Sequence, residues 1–391
     1  MRTREHIAMI GCTAPSHIYP SLGVIRELVS RGHRVSYAVG ENLAGLVEPT
    51  GAEVVPHPSL LPTGDESWPD DPASAMRVFL DEAIAVLPRL VERYDDDRPG
   101  LLLYDIGGLP APVLAVRYGI PAVQLSPTYV AWDGYEDDLA ETLHAIRTSD
   151  SGRSYHAAYN AWLRQNGIER DTWDWLTNPE HILCLIPRAM QPNAGRVPPN
   201  VRFVGPCLDP DRLADASWTP PEKGERVLLV SFGTAYTDQL DVYRACIEGF
   251  ADSDWHVVLA VGKRVDLADL GPIPQGIEVH RTVPQLAVLA EASAFVTHAG
   301  MGGCAESLWF GVPTVAIPQA VDQFGNAATL EELGVGRHLP AEEVTAATLR
   351  AAVESVAGSA EVGARLAEIR TSVRAHGGVH RAADAVESYL R

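Results

Sequence analysis

Two doubly wound α/β domains of parallel sheet, each Rossmann-like, are the fold this sequence predicts, and two observations carry the prediction. The first half alternates strand-like and helix-like segments: HIAMIGC, PSLGVIRELVSRG with apolar residues at helical spacing, RVSYAV, and later LLLYD, PAPVLAVRYG and PAVQLSP. That rhythm is the mark of βαβ units, because apolar runs of strand length alternate with amphipathic stretches long enough to cross back over a sheet. The second observation is that the rhythm restarts with VLLVSFG, HVVLAVG, IEVHRTV, AFVTHAG and PTVAIP. At 391 residues with 46% hydrophobic content, two cores of ordinary size are expected rather than one.

Taken in order, the short charged MRTREH before IAMIGC is too brief for a signal segment and reads as the lead into a first buried strand. Residues 1–205 make the first domain. The stretch 206–224, PCLDPDRLADASWTPPEKG, reads as a linker from its prolines and polar residues, and 225–377 as the second domain. Residues 378–391 read as a terminal helix. The acidic runs Asp65–Asp71 and Asp95–Asp97 are expected to be solvated loops. The polar stretch Asp150–Gly167 is expected to be helical and to lie on the surface. No repeat of solenoid period and no long low-complexity tract occurs.

A net charge of −20 argues against nucleic acid as a partner, since phosphate-backbone recognition needs a concentrated basic surface. The five cysteines, Cys12, Cys184, Cys207, Cys246 and Cys304, are dispersed and lack CxxC spacing. Neither a disulfide framework nor a zinc site is indicated, and a reducing compartment is expected. No run approaches the roughly 18 apolar residues of a membrane span. A soluble cytoplasmic enzyme with no membrane partner is the expectation; composition says nothing of oligomeric state.

The most informative stretch is 283–326. A strand-like run to Thr297 leads into His298, Ala299 and Gly300, then Gly302 and Gly303, then a helix-like run from Cys304 to Phe310. A strand, a glycine-rich turn and a helix N-terminus present unpaired N–H groups and the positive end of a helix dipole, so a phosphate is held there without a cationic cluster. His298 is placed to donate to a phosphate oxygen. Glu306 is placed to accept from vicinal hydroxyls such as a ribose diol, and Asp322 and Gln323 to grip sugar hydroxyls.

The order VPQ, HAG with further glycines, Glu, then PQAVDQFGNA resembles the donor motif of the UDP-glycosyltransferase family. The likeness extends over HIAM, PSLGVIRELVSRGHRVSYA, LYDI, VQLSP and SFGTAY, and within that family points to the macrolide glycosyltransferases of antibiotic-producing bacteria. The resemblance implies a GT-B fold, two such domains facing across a cleft, with the terminal helix crossing back onto the first. It implies a nucleotide-sugar donor, UDP-glucose above others, and no further cofactor. Within the VPQ motif, Val283 and Gln285 would lie at the base, Gln285 contacting the uracil; Ser231, with Gly233 and Thr234, and His298 with Gly300 would hold the diphosphate. Glu306 would take the ribose, and Asp322 with Gln323 the hexose. Thr282 stands where the family has a Trp stacked on uracil, which leaves UDP and TDP both open.

After the first strand, the loop Thr13–His17 occupies the place of a GxGxxG turn and carries an imidazole instead, while Asp105 follows LLLY at the same sheet edge. A carboxylate that holds one ring nitrogen leaves the other to take a proton. The family places its catalytic His in GHxxP; this chain has SHIYP, with Ser16 for the Gly. His17 as base with Asp105 as orienter then gives inverting transfer to an acceptor hydroxyl, the leaving charge stabilised by Gly302, Gly303, His298 and the Ser231 loop, with no metal. Asp252, Ser253 and Asp254 match a metal-binding DxD, but they fall in a helix-to-strand turn where acidic residues are common. Trp68, Tyr129, Trp132 and Tyr135 are the candidates for an acceptor pocket, for a macrolide by resemblance or a phenolic compound. A biosynthetic TDP-deoxysugar transferase and a non-catalytic auxiliary protein are the alternatives.

Overall fold

The computed structural model of the chain describes residues 4–62, 68–222 and 224–390. Asp65 and Glu66 of the first acidic run and Lys223 of the expected linker lie outside them. The first sheet has strands β1 (His6–Ile10), β2 (Arg34–Gly40), β3 (Glu53–His57), β4 (Leu101–Asp105), β5 (Ala122–Ser126), β6 (Ile182–Cys184) and β7 (Val201–Phe203). They lie in the order β3-β2-β1-β4-β5-β6-β7, every pairing parallel. The second sheet has β8 (Arg226–Ser231), β9 (Trp255–Ala260), β10 (Ile277–His280), β11 (Ala292–Thr297), β12 (Thr314–Ala316) and β13 (Gly336–His338), in the order β10-β9-β8-β11-β12-β13 and again all parallel. Strand order reverses between β1 and β4 in one sheet and between β8 and β11 in the other.

Parallel strands covered by helices on both faces must be apolar along both, which is why these segments read as continuous hydrophobic runs. The period of two sorts them into layers. Ile7, Met9, Leu101, Leu103, Val123 and Leu125 face one core, and Ala8, Ile10, Leu102 and Tyr104 the other. In the second sheet Leu228, Val230, Val257, Leu259 and Val296 face one core, and Val227, Leu229, Val258 and Phe295 the opposite one.

The chain divides into two compact units: 1–185, 193–207 and 379–391 form one, and 186–192 with 208–378 the other. The final helix, Gly378–Glu387, lays Ala382, Ala383 and Val386 into the core of Ile25, Leu28 and Val35. Arg31 donates to Asp384 (2.6 Å) and Glu387 (3.1 Å). The stretch after Cys207, expected as a linker, is packed on the second unit. Trp218 enters the core with Leu229 and Phe295 and donates from Nε1 to Glu278 (3.2 Å). Proline and polar composition marks the break in regular structure without saying which side buries the break.

Two surface expectations also change. The helix Asp150–Gln165 buries Tyr155, Tyr159, Trp162 and Leu163, spaced as one helical stripe, beside Leu80, Leu87 and Leu90 of the helix Pro72–Tyr94. Its aromatics form a core face, so it is not a surface-lying helix. In the second acidic run, Asp95 accepts from Arg117 and Tyr118, and Asp97 from Arg93 (3.0 Å) and Arg34. These carboxylates are paired rather than merely solvated. Asp71, at the end of the first run, caps the helix Pro72–Tyr94 through Ser74 N–H (2.8 Å).

Candidate active site

In the first unit the polar chemistry collects at the reversal point between β1 and β4, at their carboxyl ends, where an open α/β sheet leaves a crevice. His17 lies in the first turn of the helix Pro15–Ser30. Pro15 there is suited to the fixed φ and missing donor of a helix start. Ser16 does not have the positive φ that would demand a glycine, so its substitution is tolerated by the backbone. His17 Nδ1 stands 3.0 and 3.1 Å from the two oxygens of Asp105. The Asp105 side chain is 2% exposed and that of His17 is 26% exposed. Gly107 N–H also donates to Asp105 Oδ1 (2.8 Å). A Cβ on Gly108 would sit 2.4 Å from Ile10 O, so only glycine lets the chain after β4 pass this close to β1.

Because the ionised carboxylate only accepts, Nδ1 must carry the proton, and Nε2 is the ring nitrogen with basic character. Sequence reasoning missed Glu82, which supports the loop before His17. Its carboxylate accepts from Thr13 Oγ1 (3.2 Å), Ser59 Oγ (2.7 Å) and the N–H groups of Leu60 (2.7 Å) and Leu61 (3.0 Å). It stands mid-helix beside Asp81, and no sequence signal separates its buried carboxylate from that less buried one. Cys12, beside the pair, has its thiol held protonated by burial and by the charges of Asp105 and Glu82.

In the second unit the corresponding place is the carboxyl end of β8 and β11, where Ser231 and Thr297 stand in register. The helix after β11 runs Met301–Phe310. It therefore begins before the expected Cys304, and Gly302 and Gly303 belong to its first turn. Glycine's poor propensity had argued against helix there, but packing of the strand-to-helix junction overrides it. No side chain caps this N-terminus. Gly302 is exposed in this first turn, and a Cβ there would meet nothing within 4 Å.

His298 is clasped between two glycines: a Cβ on Gly233 would lie 2.7 Å from Cε1, and one on Gly300 2.5 Å from Nε2. Burial lowers its pKa to about 4, so the ring is neutral at ordinary pH. Its buried Nδ1 has no hydrogen-bond partner. A buried ring nitrogen without a partner beside an uncapped helix N-terminus fits an anionic ligand. Ala299 takes a left-handed φ of 61°, and Asn326 Nδ2 donates to its carbonyl (3.0 Å) and to Asp322 (2.9 Å). That conformation is strained for alanine and is held by its surroundings.

Gln285, at the start of the helix Gln285–Glu291, donates from Nε2 to Glu306 Oε2 (2.5 Å), and Arg212 donates to Glu306 Oε1 (3.2 Å). These contacts leave lone pairs on a carboxylate that has about four acceptor positions. Arg212 escaped the sequence reading because its segment was taken for a linker. Val283 is half-buried against the core cluster that contains Val288 and Leu289, whereas Thr282 is exposed and supplies no ring. Gly233 and Thr234 are exposed in the loop after β8, and Gly233 N–H approaches Ser231 Oγ at 3.4 Å.

Gln323 is one of the two residues expected at the hexose. It is buried at the start of the helix Gln323–Glu332, and its Oε1 accepts from the N–H groups of Gln319 (2.8 Å) and Ala320 (3.1 Å). That oxygen ties the loop. Asp322 precedes it, next to Val321, which is 77% exposed with φ 44°.

The aromatic candidates divide. Trp132 is buried, donates from Nε1 to Asp138 (2.6 Å) and meets Tyr135 edge-on at 5.0 Å. That indole is committed to loop packing. Trp68 stacks on Phe79 at 5.2 Å, and Tyr129 is half-buried. Asp252, Ser253 and Asp254 lie before β9, at the amino edge of the second sheet, with Asp254 3.9 Å from Arg226 at the start of β8. They are at the opposite edge from Ser231 and His298. Among the described residues no helix is long and apolar enough to cross a membrane.

Two all-parallel, doubly wound sheets are the architecture of the GT-B fold, and comparison with known proteins makes the chain a glycosyltransferase of that fold. The family described as erythromycin biosynthesis protein CIII-like, C-terminal domain, matches residues 244–379. Oleandomycin glycosyltransferase of Streptomyces antibioticus is 46% identical, the match covering 99% of this chain and 91% of that protein. The NDP-glycosyltransferase YjiC of Bacillus licheniformis is 33% identical over 99% of this chain and 98% of its own. The crystal structure of the glycotransferase of kitacinnamycin superposes with a TM-score of 0.91 at 43% identity, covering 100% of both chains. The chain belongs to the UDP-glycosyltransferase family, with the oleandomycin glycosyltransferase of Streptomyces antibioticus among its relatives.

Proposed function

We propose that the chain is an inverting, metal-independent transferase that moves glucose from UDP-glucose to a hydroxyl group of a macrolide or similar natural product, as in antibiotic self-resistance. The observation that carries the reading is the His17–Asp105 pair. Nε2 takes the proton of the acceptor hydroxyl as its oxygen attacks the anomeric carbon from the face opposite the leaving group. The sugar–oxygen bond to the diphosphate breaks with inversion. The Asp105 carboxylate stabilises the imidazolium. The leaving diphosphate is met by the N–H groups of Gly302 and Gly303, by the neutral His298 and by the loop at Ser231, Gly233 and Thr234. Gln285 serves the base and Glu306 the ribose, coupled through their direct hydrogen bond.

Metal independence is supported by where the DxD lies, at the wrong edge of the second sheet. Turnover with EDTA present, and its retention when Asp252 and Asp254 are replaced together, test this point. Macrolide acceptor chemistry is supported by the likeness to oleandomycin glycosyltransferase; phenolic acceptors belong to the same test.

A second reading, transfer of a deoxysugar from a TDP donor, is favoured by two observations. Thr282 supplies no stacking ring, and Gln323 Oε1 is taken by the backbone. Fewer hydroxyl acceptors in the sugar site suit a sugar with fewer hydroxyls. Competition between UDP-glucose, TDP-glucose and a TDP-deoxysugar for one acceptor separates the two. A non-catalytic auxiliary role is disfavoured by the intact pair at Asp105.

A further inference from the structure

We propose that Cys12, His17 and Asp105 form a binding site for a thiophilic divalent cation, Zn²⁺ by its chemistry, and that occupation switches the dyad off. One sulfur, one nitrogen and one carboxylate oxygen from these three side chains all lie within 4.8 Å of one another. No other group of three such residues is so placed among the described residues. The fold makes the juxtaposition. β1 and β4 are parallel neighbours with Ile10 opposite Tyr104, so Cys12 just beyond one strand meets Asp105 at the end of the other. Gly107 leaves the room: a Cβ there would stand 2.9 Å from Cys12 Cβ and 3.0 Å from Sγ.

The donor set decides the metal. Thiolate with imidazole and one carboxylate suits Zn²⁺ and excludes Mg²⁺ or Ca²⁺, which take oxygen cages. Tetrahedral bonds of about 2.0–2.3 Å put donor atoms roughly 3.3–3.6 Å apart, so a pair at the 4.8 Å limit would need to close by roughly an ångström. Three protein ligands leave the fourth position to water. The thiol gives its proton to solvent, and the metal replaces the Nδ1 proton between imidazole and carboxylate. A neutral imidazole that binds metal through Nδ1 carries its proton on Nε2, so it has no lone pair left for an acceptor hydroxyl. The inhibitory consequence rests on His17 being the base; the metal site itself does not.

The test uses the purified full chain titrated with Co²⁺ and with Zn²⁺, beside Cys12→Ala and Cys12→Ser, their folding checked by circular dichroism. Co²⁺ is expected to bind one ion per chain with a thiolate-to-metal charge-transfer band that both variants lose. One equivalent of Zn²⁺ is expected to lower the turnover of the unaltered chain roughly tenfold or more, reversibly with EDTA, and to leave each variant near its own metal-free rate. Absence of the thiolate band, or equal zinc sensitivity in the unaltered chain and in Cys12→Ala, overturns the proposal. A thiolate band in a protein with no transfer to inhibit keeps the site and overturns the function proposed above.

Discussion

His17 and Asp105 lie 88 positions apart and meet only because two parallel strands are neighbours. His17→Ala is expected to lower kcat by roughly 10²- to 10⁴-fold, the range for losing a general base, with UDP affinity by calorimetry unchanged. His298 gives a prediction in pH. Its folded pKa, about 4, is below the unfolded value of 6.5. Above pH 6.5 the ring is neutral in both states and adds no pH dependence. Between 6.5 and 4 the unfolded chain binds the extra proton, so stability falls as pH falls, by up to about 3 kcal/mol. Denaturant unfolding at several pH values should show that loss, and His298→Asn should lack this part of it. At Thr282, replacement by Trp should tighten UDP binding by about 0.5–1.5 kcal/mol if the residue lies under the base; unchanged affinity would place the base elsewhere.

At the level of elements, the proposed diphosphate site is a helix N-terminus whose neighbouring imidazole is held by the absence of side chains. Gly300 has φ −61°, which any residue adopts, so Gly300→Ala is a steric probe without backbone strain. Its methyl group would meet the His298 ring. UDP affinity by calorimetry is expected to fall roughly tenfold, about 1.4 kcal/mol. The central strands of both sheets were legible in the sequence because buried parallel strands are written as apolar runs with chemistry at their ends, whereas β3, β6, β7 and β13, toward the sheet margins, were not. The dyad was legible for the same reason. What escaped was set by tertiary packing: the inward turn of Gln323, the Arg212 contact to Glu306, the support from Glu82, and the buried stripe of the helix Asp150–Gln165. No local pattern distinguishes a polar side chain that meets ligand from one that ties a loop.

Across the whole chain, the final helix returns to the unit in which the chain begins, burying Ala382, Ala383 and Val386 and pairing Arg31 with Asp384 and Glu387. Deleting residues 379–391 uncovers that core. Thermal unfolding followed by circular dichroism should then show the first unit melting earlier, while UDP binding, which the proposed function assigns to the second, persists at temperatures where transfer is already lost. Simultaneous loss of both would contradict this division of labour. The most direct measurement is mass spectrometry of the unaltered chain and His17→Ala incubated, with EDTA, with UDP-glucose and a panel of macrolides, alongside calorimetry with UDP. A hexose adduct formed by the unaltered chain alone, with equal UDP affinity in both proteins, is the result expected. An adduct formed as fast by His17→Ala would contradict the proposed mechanism, and no adduct despite intact UDP binding would contradict the proposed donor and acceptor.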